Sequence, residues 1–198
     1  MPGSARIVRR DIVGCRPVLA EEIMTRPPRR ETTHFAREQL VAILANPRFE
    51  PSGRSEKRVA LARDVLGFKS ARIANLFAWP SASSRDIALL GKVPEGWQDA
   101  RRELTEAVYE ADAVLVGFGL IPSSRESGPQ LRAQLRWLHE ELRRSGHVAV
   151  WQVGDRPRHP SRWHQYVSDA HGRTAGGTFE ERLHQVLRAV PLDDCDWA

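Results

Sequence analysis

The sequence predicts an α/β fold: a three-layer α/β/α domain around a central, mainly parallel four-stranded sheet. Four short apolar stretches read as strands, the first of them a continuous run as expected for a strand buried on both faces. Amphipathic stretches with helical spacing alternate with them, the pattern of a parallel sheet covered by helices. The 198 residues, 41% hydrophobic and 28% charged, suit one soluble domain with one core, so a single domain over 1–198 is expected.

The elements follow in order. Residues 1–39, including "RPPRRETTHFAREQ", are polar, Pro/Arg-rich and aperiodic, and predict an irregular N-terminal arm. Leu40–Ala45 ("LVAILA") is the first strand, and the loop "NPRFEPSGR" follows it. "SEKRVALARDVLGF" sets Val59, Ala62 and Leu66 on one helical face, with Ser55 as the expected N-cap and Gly67 as the stop. Ala71–Trp79 ("ARIANLFAW") reads as the second strand. Pro80 and the Ser-rich "SASSRD" lead into a short helix near "IALLGK", and "WQDARRELTEAVYEA" is a longer amphipathic one. "DAVLVGFG" is the third strand. "QLRAQLRWLHEELRRSG" then spaces Leu131, Leu135, Leu138 and Leu142 along a helix that Gly146 closes. "HVAVWQV" is the fourth strand, and "TFEERLHQVLRAV" is a last helix opened by a capping box of Thr178 and Glu181.

Several function classes lack their signatures. Neither GxGxxG nor GxxxxGK[ST] follows a strand, and no GxSxG elbow occurs. "HGRTAGGTF" is Gly-rich and precedes a helix, but it follows no strand and has no Lys; it reads as a connector with a helix cap, with a phosphate cradle as the alternative. The seven histidines show neither HExxH nor deaminase spacing, so no metal or other cofactor is expected. Cys15 and Cys195 lie near opposite ends and are expected to be free thiols. No apolar run approaches a membrane span, and the first residues lack the continuous apolar segment of a signal peptide. The formal charge is +5, almost all of it from arginine, since Lys57, Lys69 and Lys92 are the only lysines. That excess fits either codon bias or attraction to phosphate, for which the planar guanidinium fork is suited.

In open α/β sheets, ligands bind beyond the carboxyl ends of the strands. The four strands deliver "NPRF", "NLFAW", "GFG" and "GDRPRHPSRW" to that edge, a convergence of polar, aromatic and glycine residues expected to form a site.

In order, these loops resemble the motif series of the uracil-DNA glycosylase superfamily. "LANPRFEPSG" is similar to its water-activating loop, most like the mismatch-specific branch, with Asn46 before Pro47. "LGFKSARIANLFAWPSA" resembles the segment around its base-reading Asn, here Asn75. "AVLVGFG" is similar to its third-strand turn, and "RHPSRW" to its His-Pro-Ser and wedge loop. The likeness spans roughly Leu40 to Tyr166, and "NP…NLFA…RHP" also looks like the bacterial and phage family called domain of unknown function 1643.

The resemblance implies a bacterial cytoplasmic DNA glycosylase that flips a base out of the stack and hydrolyses its N-glycosidic bond. Asn46 would hold the attacking water, positioning it rather than deprotonating it, since an amide is a poor base. His159 would donate to the departing base. Asn75, Arg48, Phe49 and Phe77 are the expected base-binding residues. Arg156, Arg158, Ser161, Arg162 and Trp163 are the expected DNA contacts, with Trp163, four residues after His159, as the wedge. No catalytic lysine is implied, so base removal would leave the strand uncut. The uracil-specific branch has Asp before the Pro and Tyr after it; Asn46 and Arg48 stand there instead. Without that tyrosine gate the expected substrate is a bulkier pyrimidine, such as a modified cytosine of phage DNA, excised in repair or antiviral defence.

Each residue also has a structural reading. His159-Pro160 can be a loop dipeptide, Asn46-Pro47 a turn opener, Asn75 a strand amide satisfied by backbone. Trp163 can pack on the following helix, and Phe77 and Phe118 can be core. A non-catalytic DNA-binding module and a nucleoside or nucleotide hydrolase on the same fold are the competing functions. DNA is the expected partner, with the chain a monomer or dimer and no obligate protein partner.

Overall fold

The computed structural model describes residues 38–47, 53–83, 85–167 and 177–197. Residues 1–37 of the expected N-terminal arm, Cys15 among them, lie outside the described residues, as do Arg48 and Phe49, while Gln39, expected to end the arm, opens the first strand. β1 (Gln39–Leu44), α1 (Arg54–Leu66), β2 (Ser70–Asn75), α2 (Ile87–Leu90), α3 (Glu95–Glu110), β3 (Ala113–Val116), α4 (Ser127–Arg144) and β4 (Ala149–Val153) follow one another. A 3-10 turn (Pro160–Arg162), α5 (Trp163–Val167), α6 (Phe179–Val186) and β5 (Leu187–Pro191) complete the order, and a second 3-10 turn (Leu192–Asp194) ends it.

The sheet order is β2-β1-β3-β4-β5, parallel through β4 and antiparallel at β5. The strand side-chain period of two sorts the core into two layers. Val41, Ile43, Val114, Val116 and Val150 face α3 and α4, where Trp97, Leu104, Leu138 and Leu142 are buried. Leu40, Ala42, Leu115 and Val153 face the other way, against Val59, Ala62 and Leu66 of α1 and Leu183 and Val186 of α6. The result is helices on both faces of a mostly parallel sheet.

Three expectations change. The sheet has five strands, not four: the last helix stops at Val186 and the chain turns directly into β5. Leu183, Val186 and Val190 keep helical spacing in sequence, but the open edge of β4 offers a row of unpaired peptide groups, and Leu187–Pro191 pairs with it. Pro191, which has no N–H, falls at the end of this edge strand. The second strand ends at Asn75 rather than Trp79. Helix α1 starts one residue before Ser55, with Gly53 (φ 65°) as N-cap, so Ser55 is buried within the first turn.

Other local signals hold. Gly67 (φ 73°) closes α1, its N–H bonding back to the last turn. The capping box is complete: Thr178 N–H donates to Glu181 Oε2 at 2.6 Å and Glu181 N–H to Thr178 Oγ1 at 3.2 Å. Among the described residues, no helix is long and apolar enough to cross a membrane.

Topology positions the site. From β1 the chain crosses outward to β2 and then back past β1 to β3, so β1 and β3 are the neighbours where the order reverses. The loops leaving their carboxyl ends diverge, which opens a crevice there.

Candidate functional site

A cleft of about 790 Å³ opens at that carboxyl edge. Asn46 and Pro47 after β1, Asn75 at the end of β2, Phe118 to Leu120 after β3, and Arg156 to His159, Ser161 and Arg162 after β4 line it. Its volume is in the range of sites for small organic ligands.

Asn46 is held by a loop that sequence reasoning passed over. Its Nδ2 donates to Ser81 Oγ at 2.7 Å and to Pro47 O at 2.9 Å. Ser81 Oγ donates onward to Ser83 O at 2.8 Å, so it must accept from Asn46, which fixes the amide's orientation. Ser81 N–H also donates to Pro47 O. Among the described residues no donor meets Asn46 Oδ1, and that oxygen is what the side chain offers the cleft. The Ser-rich run after Pro80, at the carboxyl end of β2, was the available signal for Ser81.

Asn75 pairs in register with Leu44 and is half-buried. Among the described residues its side-chain amide makes no hydrogen bond, although its neighbours are fixed: Leu76 N–H donates to Leu44 O at 2.9 Å and Phe77 N–H to Ala45 O at 3.0 Å. The buried Gln134 of α4 holds this strand end from behind, donating to Leu76 O and Trp97 O at 3.0 Å. An amide carried on a rigid strand end has both a donor and an acceptor to present to a heterocycle edge.

His159 caps the 3-10 turn, and its Nδ1 accepts from Ser161 N–H at 3.3 Å. Ser161 Oγ lies 2.9 Å from the same nitrogen. With Nδ1 accepting, the neutral imidazole carries its proton on Nε2. Gly119 (φ 72°) lets the β3 loop come this close: a Cβ there would sit 3.1 Å from His159 Cβ. Ser161 therefore orients the ring and is not simply a DNA contact.

Two predicted contacts are corrected. Trp163 is not a wedge: it is 0% exposed, packed with Leu183, Val167 and α1, and its indole N–H donates to Arg158 O at 2.7 Å. Burial of so large a ring, with its one polar atom satisfied, makes it the anchor of the loop. Phe77 is not a base-binding residue either; it lies past the end of β2 in the core, edge-on to Trp97 with centroids 4.8 Å apart.

The arginines divide. Arg158 is turned inward, its side chain 14% exposed, with Nη2 donating to Asp155 Oδ1 at 2.6 Å and its guanidinium 3.3 Å from the Tyr166 ring centroid. It braces the loop more than it faces solvent. The hydrogen bond from Arg158 holds the Asp155 carboxyl below the usual carboxylate range, and the charges of Arg158 and Arg156 act in the same direction. Arg162 is exposed at the rim, and Arg156 is half-exposed with Nε 3.8 Å from Asp155.

The cleft also holds residues the motifs did not mark. Leu120, 76% exposed, stands at its mouth, and Glu56 and Gln165 line it. Among the described residues no group of three His, Cys, Asp or Glu side chains is placed to hold a metal ion. Cys195 is a free thiol that does not line this cleft, its pKa pushed up to about 11 by burial and by Asp194 and Asp193. No protein-family model, curated protein or solved structure matches the chain.

Proposed function

We propose that this chain is a monofunctional DNA glycosylase that removes a flipped-out modified or damaged pyrimidine and leaves an abasic site. The observation that carries the reading is the convergence, on one cleft, of three complementary groups: a histidine whose Nδ1 is an acceptor, an asparagine anchored through its nitrogen, and a second amide with no partner among the described residues.

The chemistry follows from their polarity. Breaking an N-glycosidic bond leaves electron density on the base and cationic character on the sugar. His159 Nε2–H is a preorganised donor for the base oxygen on which that charge gathers. Asn46 Oδ1 accepts from the water that attacks the sugar carbon, and its anchored nitrogen keeps the oxygen in place. Asn75 reads the base edge. Arg156 and Arg162 at the rim suit flanking phosphates, and Leu120 replaces Trp163 as the apolar side chain able to fill the vacated stack.

The substrate class rests on Arg48 standing where the uracil-specific branch has a tyrosine, and on a cleft roomy enough for a ring substituent. A modified cytosine of phage DNA, removed as antiviral defence, fits both. The test uses oligonucleotides carrying uracil, mispaired thymine, 5-hydroxymethylcytosine and its glucosylated form, with hot alkali to cut at abasic sites. Cleavage at a modified base is expected. Binding without cleavage across the panel would mean a non-catalytic DNA module, and release of base from free nucleosides alone would mean a nucleoside hydrolase.

A further inference from the structure

The proposed hydrolysis leaves one proton without a destination. Asn46 can orient water but cannot accept its proton, and His159, whose Nδ1 accepts from Ser161 N–H, is assigned the donor role toward the base in the proposed reaction. Among the described residues that line the cleft, Glu56 is the one carboxylate; the other ionisable groups there are His159, Arg156, Arg158 and Arg162. Glu56 sits in the first turn of α1, exposed at the cleft wall. It forms no ion pair or hydrogen bond with any described residue. Elsewhere Asp155, Glu110, Glu126 and Asp193 each meet an arginine or lysine. A first-turn acid is also favoured simply by the helix dipole, so the variants below must separate that role from chemistry.

We infer that Glu56 is the proton acceptor for the attacking water, a role that rests on the glycosylase reading. Water oxygen bonds to the sugar carbon as the carbon–nitrogen bond breaks. The electron pair of that bond leaves with the base, whose oxygen takes the hydrogen bond from His159 Nε2–H. The water proton passes to the Glu56 carboxylate, which afterwards releases it to solvent or to the base anion. Atoms and charge balance with no further reactant.

The test measures single-turnover base release by wild-type, Glu56→Gln and Glu56→Asp proteins on the same oligonucleotide panel, across pH, with DNA affinity by fluorescence anisotropy. Glu56→Gln is expected to lose about 100-fold or more in rate, within the span of general-base contributions, at unchanged affinity. It should also lose the acid limb of the pH–rate profile, and Glu56→Asp should recover part of the rate. A Glu56→Gln rate within about threefold of wild type, with the acid limb intact, would overturn the inference and leave the glycosylase reading standing. No base released by the wild-type protein from any probe would overturn both.

Discussion

The two ends of the sheet treat their polar groups differently. At the amino ends of the strands nearly every such group described has found a partner. Asp112 accepts from the N–H groups of both Glu38 and Gln39 at 2.9 Å, and Lys69 pairs with Glu38 at 2.6 Å. Ser70 bonds Glu38 O through both its N–H and its hydroxyl, and the buried His147 meets Val108 O at 3.0 Å. At the carboxyl ends the same kinds of residue are left with capacity in hand. Asn75 has no side-chain partner and Asn46 has an unclaimed oxygen among the described residues, while Glu56 and Arg162 face a cleft. Exposed groups such as Glu56 and Arg162 are solvated at no cost, while the half-buried Asn75 and Asn46 keep hydrogen-bonding capacity that the amino edge spends on the fold.

Within the carboxyl edge the same division recurs on a smaller scale. The β4 loop is braced from inside by Trp163, Arg158 and Asp155, and on that frame it carries His159 and Arg162. Rigid support beneath an exposed group is what holds it in a working geometry.

The largest effect should break this frame. Trp163→Ala is expected to cost about 3–5 kcal/mol in urea unfolding, the range for emptying a buried aromatic site. A wedge in solution would leave stability untouched. At the opposite edge, Asp112→Ala removes a carboxylate that accepts two backbone N–H groups, at a cost of about 2 kcal/mol given its exposure. Base release per folded molecule should not change, which the ratio of activity to native fraction checks. Arg162→Ala should leave the unfolding midpoint unchanged. Its signature is a DNA-binding salt slope shallower by about 0.7–0.9, the loss of one phosphate contact.

The smallest effect concerns pH. Asp155 is held below its ordinary range in the folded chain, so its contribution is complete above the unfolded carboxylate value and fades as pH falls through the depressed one. The pair is open to water on the Asp155 side, so Asp155→Asn should cost only about 0.5 kcal/mol near neutrality. That difference from wild type should shrink in acid, as measured by thermal unfolding at a series of pH values.

How much of this was readable in the sequence depended on distance along the chain. β1 and β3 announce themselves as apolar runs, β2 and β4 as more mixed ones, and the Thr178–Glu181 cap spans three residues. The carboxyl-edge rule pointed to the edge where the cleft opens, without any contact being known. Long-range packing decided the rest. Helical spacing runs on through Val190, and only pairing with β4 converts that stretch to a strand. Asn46 and Ser81 lie 35 residues apart, so their bond has no local signature. An arginine-flanked tryptophan suits DNA as well as a core; the hydrophobic layer between α1 and α6 chose the core. Phe77 lies two residues beyond Asn75, and the end of β2 between them separates a cleft side chain from a buried one.

His159 is proposed to serve chemistry in addition to capping the 3-10 turn. Base release and thermal midpoint measured on the same preparation of His159→Ala test it most directly. The expected release rate is lower by about 100-fold or more, the scale of losing one preorganised donor, while stability falls only by the roughly 0.5–2 kcal/mol of a lost cap. Release at the wild-type rate, or a loss no larger than the fraction unfolded, would contradict it.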